Sequence, residues 1–175
     1  MLDNELFIAI RLELLARLAE YNVHDLTDVK VKRSFQPTQQ ATSNDRVIFI
    51  HRVDNPQPGG GIVYNGTTRI EQKFKRASFQ FDCLAPFNPA DTSALLPGDI
   101  LTIAADLIQS YKGIRNLRAN GVKIERVTDV RPSRFVNDQE QFEMSPSFDL
   151  TVNYQHDYET DIPEVTRVDE KLYGV

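Results

Sequence analysis

The sequence has few of the residues that build disulfides or metal centres. Its 175 residues include one cysteine, Cys83, so neither an internal disulfide nor a cysteine-based zinc site is expected. The three histidines are His24, His51 and His156, and none has a second histidine three or four residues away. A helical pair of histidine ligands is therefore excluded. His51 lies in a predicted strand, where we interpret it as a hydrogen-bonded sheet residue rather than a base.

Long hydrophobic runs are also lacking. The N-terminal MLDNELF has no basic segment leading into an apolar run, and no stretch is long enough to span a bilayer. We therefore expect neither a signal peptide nor a membrane span. Hydrophobic residues still make up 41 % of the chain, which is enough for the core of one domain.

Negative charge outnumbers positive charge, and the charge is unevenly distributed. The formal net charge of −5 argues against a protein that coats nucleic acid, because phosphate binding needs a basic surface. Residues 1–29 sum to −4, residues 30–76 to +6, residues 77–135 to +1 and residues 136–175 to −8. A basic middle and an acidic end can attract each other between copies and favour head-to-tail association. The alternative is that both are solvated segments.

Hydrophobic periodicity predicts two main helices and several strands. A helix is expected over residues 3–20, with Asp3 as its N-cap, and a second from Pro97 to a stop at Gly113, followed by a short turn of helix. Alternating residues predict strands, listed by number: 29–35, 46–53, within 71–85, 122–130 and 147–154. This order predicts an α+β fold, with a mainly antiparallel sheet, helices packed on one face, a long hairpin loop and a C-terminal arm.

Two polar stretches carry weak signals of ligand binding. "DNPQPGGGIVYNGTT" is glycine-rich but lacks the lysine and helix of a phosphate loop, so we expect an extended, mobile connection. "HDYETD", residues 156–161, has carboxylates but lacks the glycine turn of a calcium loop, so we interpret it as solvated arm.

One constellation is typical of catalysis. Asp54 ends a predicted strand, and Glu71 and Lys73 begin its expected partner. Mg²⁺-dependent nucleases use this layout, in which carboxylates hold the metal and the lysine stabilises developing negative charge. A polar strand face is the alternative, because so short a pattern also arises by chance. The nuclease stays a minor alternative.

A longer run carries a family resemblance. "RASFQFDCLA" is followed by a long helix and then by "GVKIERVTDVRPSRFVNDQEQFEMSPSFDLTVNY". The most specific part, "VTDVRPSRFVNDQEQFEMSPSFDLTV", combines a strand, an arginine-containing turn and a Phe-Asp-Leu strand, and "VIFIHRV" before a long loop fits the same pattern. The segment from Arg69 to Tyr154 resembles the tail terminator, or neck terminator, proteins of tailed bacteriophages.

The resemblance implies a structural protein with no enzyme activity and no cofactor. It implies a ring, commonly a homohexamer, that ends the tail tube at its head-proximal end and joins it to the neck. The expected partners are copies of the chain, the tail tube protein, neck or connector proteins and, in a contractile tail, the sheath. DNA is expected to pass through the pore without specific binding, and no membrane partner is expected. The expected location is the virion tail or neck, after synthesis in the bacterial host cytoplasm. Another head-tail joining protein, such as a head-completion or adaptor protein, is the alternative.

The resemblance also divides the chain and marks candidate contacts. We expect a terminator-like domain over residues 1–160 and a C-terminal arm over 161–175, either docked on a neighbour or a disordered terminus. The acidic excess after Val136 would suit the lining of a DNA pore, because it repels phosphate. The candidate interface residues are Asn55, Gln57, Tyr64, Arg69, Lys73, Arg76, Arg131, Arg134, Asp138, Glu140, Glu143, Ile162, Val165, Val168 and Leu172.

Overall fold

The computed structural model describes most of the chain: residues 1–21, 26–34, 45–54, 59–65, 68–85, 95–132, 134–136, 142–144 and 146–161. Within these ranges the helices are α1 (Asp3–Glu20), α2 (Pro97–Gln109) and α3 (Tyr111–Ala119), with a 3₁₀ turn at Leu26–Asp28. The strands are β1 (Lys30–Arg33), β2 (Val47–Asp54), β3 (Gly59–Asn65), β4 (Thr68–Leu84), β5 (Val122–Val127), β6 (Arg134–Val136), β7 (Phe142–Met144) and β8 (Ser147–Asp161).

One six-stranded sheet organises the described part of the chain. Its strands follow the order β1-β2-β4-β8-β5, and β3 also pairs with β4. The pairing of β1 with β2 is parallel, and the other pairings in the sheet are antiparallel. Strands β6 and β7 form a separate antiparallel ribbon. The predicted α+β fold with a mainly antiparallel sheet is confirmed.

The core forms where alternating residues of β4 and β8 meet the helices. Phe79 of β4 lies opposite Leu150 of β8, and Phe81 lies opposite Phe148. The rings of Phe81 and Phe148 stack with centroids 4.6 Å apart, and both side chains are fully buried. Helix α2 packs on β4 and β8, so the buried parity of both strands faces the helices. Burial of such rings is the main favourable term in folding.

The start of α1 differs from the prediction. Leu2, not Asp3, is the N-cap residue, and its backbone N–H donates to Oε2 of Glu5 over 2.7 Å. The carboxylate of Asp3 instead contacts the guanidinium of Arg52 and accepts a hydrogen bond from the hydroxyl of Tyr154. A distant tertiary contact therefore takes the side chain that the sequence pattern assigned to a local cap.

The end of α2 also differs. The helix ends at Gln109 rather than at Gly113, and Ser110 then caps α3 by accepting a hydrogen bond at Oγ from the backbone of Gly113 over 3.1 Å. Gly113 lies in the first turn of α3, where an added Cβ would be 2.6 Å from the carbonyl oxygen of Leu107. Glycine is therefore needed for the close approach of the two helices, not for a helix stop.

Two segments predicted to be irregular are strands. Residues 59–65 of the expected mobile connection form β3, and "HDYETD" is the end of β8 rather than solvated arm. Both pair with β4, which has 17 residues and begins earlier than expected. Gly60 lies so close to β4 that a Cβ would be 2.3 Å from the carbonyl oxygen of Gln72. Ladder hydrogen bonds from a long central strand thus order a segment with little side-chain patterning.

Within the described ranges, no helix is both long enough and apolar enough to cross a membrane.

Candidate docking arm

The sheet continues past the ends of two of its strands. The last residue of β2 pairs with Ser78, and the first residue of β5 pairs with Tyr154. Beyond these points, β3, the start of β4 and the end of β8 form a three-stranded extension. We call residues 59–65, 68–76 and 155–161 the docking arm.

The three strands of the docking arm are matched in length and level. Residues 68–74 of β4 pair with residues 59–65 of β3 on one side and with residues 155–161 of β8 on the other. Ile70, for example, lies between Val63 and Glu159. The arm is therefore a rectangular sheet in which each outer strand has seven residues.

Large apolar side chains are exposed on the docking arm. Scattered surface hydrophobics are normal, but here five lie on three adjacent strands. Pairing and alternation place Ile62, Tyr64 and Tyr158 on the face continuous with the buried core, and Val63 and Phe74 on the opposite face. The exposed fractions are 50 % for Ile62, 46 % for Val63, 63 % for Tyr64, 49 % for Phe74 and 47 % for Tyr158. A surface of this composition is typical of a binding site.

Charge on the docking arm is sorted by strand. The central strand carries the cations Arg69, Lys73, Lys75 and Arg76 with one acid, Glu71. Glu71 forms ion pairs with Arg69 at 2.8 Å and with Lys73 at 3.6 Å. The outer β8 edge carries Asp157, Glu159 and Asp161 and no cation, whereas the outer β3 edge has no charged residue.

The N-terminus of α1 is fixed to the base of the arm. The ammonium group of Met1 donates to the backbone carbonyl of Gln155 over 3.2 Å and lies 3.0 Å from Nδ1 of His156. The ring of His156 in turn contacts the edge of Tyr158, with centroids 4.3 Å apart.

An ion pair between Arg52 and Asp3 lies beside the contacts of Met1. Arg52 contacts Asp3, and its guanidinium also donates to the hydroxyl of Tyr154 over 3.3 Å. Partial burial by itself would raise the pKa of Asp3, but the hydrogen bond and charge of Arg52 outweigh it and lower this pKa. Burial raises the pKa of Tyr154. These contacts tie α1 to β2 and β8 where the docking arm begins.

The sheet face opposite the helices carries a polar network. Nδ1 of His51 lies 3.1 Å from the carboxylate of Asp82, and Nε2 lies 3.1 Å from the amide oxygen of Gln80. Partial burial raises the pKa of Asp82, while the charge of His51 acts in the opposite direction. Arg131 pairs with Asp149 over 2.8 Å on the same sheet. His51 is thus a hydrogen-bonded sheet histidine.

The residues of the nuclease constellation are apart. Asp54 lies opposite Ser78, whereas Glu71 lies opposite Ile62 and Tyr158. Ser78 and Glu71 are seven residues apart on one strand, which corresponds to about 23 Å at about 3.3 Å per residue. Among the residues that the structure describes, no three His, Cys, Asp or Glu side chains come together as a metal site would require. The two carboxylates therefore do not share one metal position.

The predicted interface residues fall in several places. Tyr64, Arg69, Lys73 and Arg76 all lie on the docking arm, and Arg131 forms a bridge with Ser147 near the other end of β8. Arg134 lies in β6 and Glu143 in β7. Eight further predicted residues lie outside the described ranges: Asn55, Gln57, Asp138, Glu140, Ile162, Val165, Val168 and Leu172.

Sequence reasoning missed the apolar members of the arm. Ile62, Val63, Phe74 and Tyr158 were not among the predicted contacts. "GIVYN" is a short apolar run beside an Asn-Gly turn signal, which is typical of a hairpin strand. That signal could have identified β3.

Comparison of the sequence with models of known protein families shows which family the chain belongs to. Residues 5–164 match the family model described as "E217 gateway protein gp29". The chain belongs to the E217 gateway protein family. The prediction of a phage tail or neck terminator family is confirmed, and the family is one of structural phage proteins.

One solved structure aligns with this chain at low sequence identity. It is the sheath/tube terminator, in the extended state, of PVC, an extracellular contractile injection system. The identity is 12 %, the TM-score is 0.48, and the match covers 96 % of this chain and 63 % of the other. The gateway-family chain therefore spans less than two thirds of the length of that structure. No curated protein matches the sequence.

Proposed function

We propose that this gateway-family chain assembles as a ring, a homohexamer, at the head-proximal end of a phage tail. The ring ends the tail tube and joins it to the neck or connector. The family match over residues 5–164 carries the proposal, because it includes both the helix-covered domain and the docking arm. The exposed apolar arm gives such a protein a surface through which copies or partners can attach.

The proposed partners are a second copy of the chain, the tail tube protein, neck proteins and, if the tail contracts, the sheath. Closed rings need two different complementary surfaces on each subunit. The basic residues of β4 and the acidic residues of β8 are a source of such complementarity. DNA passes through the ring without specific binding, since the acidic C-terminal part repels phosphate.

We further propose that the chain divides into a domain over residues 1–160, which includes the docking arm, and a separate C-terminal arm over residues 161–175 that reaches a neighbour. β8 extends to Asp161 and so brings the chain to the tip of the docking arm at that point. The candidate interface residues listed above stay part of this proposal. The proposed location is the tail or neck of the virion.

Mass measurement and electron microscopy test the ring. Size-exclusion chromatography with light scattering should show a hexamer that persists with rising protein concentration, and negative-stain images should show six-fold rings. A monomer at every protein and salt concentration would refute the ring, and absence of the chain from the neck of labelled virions would refute the proposed location. Labelling at the head side of the neck instead would favour an adaptor.

Catalysis is tested separately. The unmodified chain is incubated with plasmid DNA and Mg²⁺, with Asp54→Ala and Glu71→Ala as matched variants. We expect the plasmid to stay intact in all three samples. Cleavage by the unmodified chain that both variants lose would establish the nuclease.

A further inference from the structure

Both outer strands of the docking arm have an open edge. β3 pairs with β4 on one side, and no strand in the described ranges pairs with its other side. β8 extends beyond β5 from Gln155 to Asp161. The ammonium group of Met1 donates to the carbonyl of Gln155 at the start of this segment, and no strand in the described ranges pairs with its outer side. Open edges carry unpaired N–H and C=O groups that template pairing with another chain. The arm can therefore be continued on both sides.

The two edges fit each other in extent. Each has seven residues, and both are aligned against the same seven residues of β4. Gly61 and Asp157 share one level, opposite Gln72, and Val63 and Glu159 share another, opposite Ile70. A copy placed beside the arm at the same height thus meets the β8 edge with its whole β3 edge.

Charge disfavours one of the possible edge pairings. Pairing β8 with β8 would bring carboxylates against carboxylates, which destabilises a sheet. Pairing β3 with β8 avoids this, because β3 carries no charge. It also places Tyr158 of one copy on the same face as Ile62 and Tyr64 of the next, so exposed apolar surface is buried.

Symmetry fixes the direction of this pairing. β3 and β8 are each antiparallel to β4 and are therefore parallel to each other within one arm. Neighbouring copies in the proposed six-fold ring are related by a rotation that is too small to reverse the direction of a strand. The β3 edge of one subunit consequently runs parallel to the β8 edge of the next.

We propose that the docking arms of neighbouring copies join into one continuous sheet, in which residues 59–65 of each copy pair in parallel with residues 155–161 of the next. The inference rests on the proposed ring and specifies one of its interfaces. It assigns the second copy of the chain as the partner of both open edges.

Engineered cysteines test the pairing and its direction. One preparation carries Val63→Cys and a second carries Glu159→Cys; the two are mixed, assembled and oxidised. The matching pair is Gly61→Cys with Asp157→Cys. These positions are exposed, and Gly61 has open space around an added Cβ. The native Cys83 is buried, which raises its pKa to about 12 and keeps it out of the oxidation.

We expect disulfide-linked dimers on denaturing gels from both matching mixtures, and much less from the crossed mixtures of Gly61→Cys with Glu159→Cys and of Val63→Cys with Asp157→Cys. Thermal unfolding of each variant checks that it is folded. A ring that forms without disulfide-linked dimers, or with them only in the crossed mixtures, would refute this strand pairing but not the proposed ring. Linking of Val63→Cys to itself means β3 pairs with β3 and also overturns it. Failure of the unmodified chain to assemble overturns the ring and the pairing together.

Discussion

The helix-covered half of the sheet and the docking arm share strands β4 and β8. Large apolar side chains of these strands are buried in the first region and exposed in the second. In the covered half, Phe81 and Phe148 are fully buried and stack on each other. In the arm, Phe74 and Tyr158 of the same strands are about half exposed. The backbone ladder is continuous through both parts. Stability is thus concentrated where the helices lie, and the apolar surface of the arm is left for contacts outside the subunit.

The largest difference in stability between the two regions is expected for substitution of Phe81. Phe81→Ala removes a fully buried ring from the centre of the sheet and should destabilise the chain by about 3–5 kcal/mol. Phe74→Ala, seven residues earlier on β4, should cost less than about 1 kcal/mol because the ring is 49 % exposed. Urea unfolding measures both. Equal losses would mean that the arm is as important for folding as the core.

The packing of the helices gives the next largest effect. Gly113→Ala places a Cβ 2.6 Å from the carbonyl oxygen of Leu107 and 2.7 Å from that of Ile108. Because both are backbone atoms, α2 and α3 must separate, at a cost of about 1–3 kcal/mol. Gly98→Ala is the matched control, since nothing lies within 4 Å of its added Cβ. The control should be neutral or up to about 1 kcal/mol more stable by thermal unfolding.

Loss of the ion pair between Asp3 and Arg52 at the base of the docking arm should have a smaller, pH-dependent effect on the free energy of unfolding. Asp3→Asn removes the charge that Arg52 contacts, and we expect a loss of about 0.5–1 kcal/mol at neutral pH, since Asp3 is half exposed and screened by solvent. The folded state lowers the pKa of Asp3 below its usual 3.8. The stabilisation is therefore fully present above about pH 4 and is lost as the pH falls through the lowered pKa.

Unfolding of wild type and Asp3→Asn across that range checks the sign, and the difference between them should vanish in acid. A double-mutant cycle with Arg52→Gln separates the pair from each residue's other contacts. A difference that grows in acid would contradict the assignment.

The smallest effect on folding is expected in the arm itself. Val63→Glu changes an exposed edge residue, so the free energy of unfolding should shift by less than about 0.5 kcal/mol. Assembly should nevertheless fail, because the new carboxylate would lie beside Glu159 of the next copy in the proposed pairing. Leu12→Glu on α1 is the matched control, with 55 % exposure and no place on the arm. Light scattering compares the two, and normal assembly of Val63→Glu would count against the arm as an interface.

The sequence was most informative where one face of an element is buried. The helix over residues 3–20 was predicted with the observed bounds, and the buried parity of β4 was visible in Ala77, Phe79, Phe81 and Cys83. This works because burial of one face imposes a period on the sequence. The division between core and surface in these elements is therefore readable without a structure.

The docking arm was least predictable, because neither of its faces is buried and no period is imposed. β3 begins with three glycines and is ordered by hydrogen bonds to the next strand, β4, so the Asn-Gly turn signal is the local trace of it. The acidic end of β8 was misread for the same reason. Likewise, Asp3 and Gly113 were given local capping roles, whereas their contacts are with Arg52 and with the end of α2. Tertiary contacts of this kind leave little trace in local sequence.

Strand β4 runs through both halves without interruption, and its 17 residues extend over about 56 Å at about 3.3 Å per residue. A pull along its length loads all its cross-strand hydrogen bonds together, whereas a pull across the sheet would open them one after another. One unbroken ladder therefore connects the tip of the docking arm to the stacked rings of Phe81 and Phe148, and tension applied at the tip is carried along that ladder.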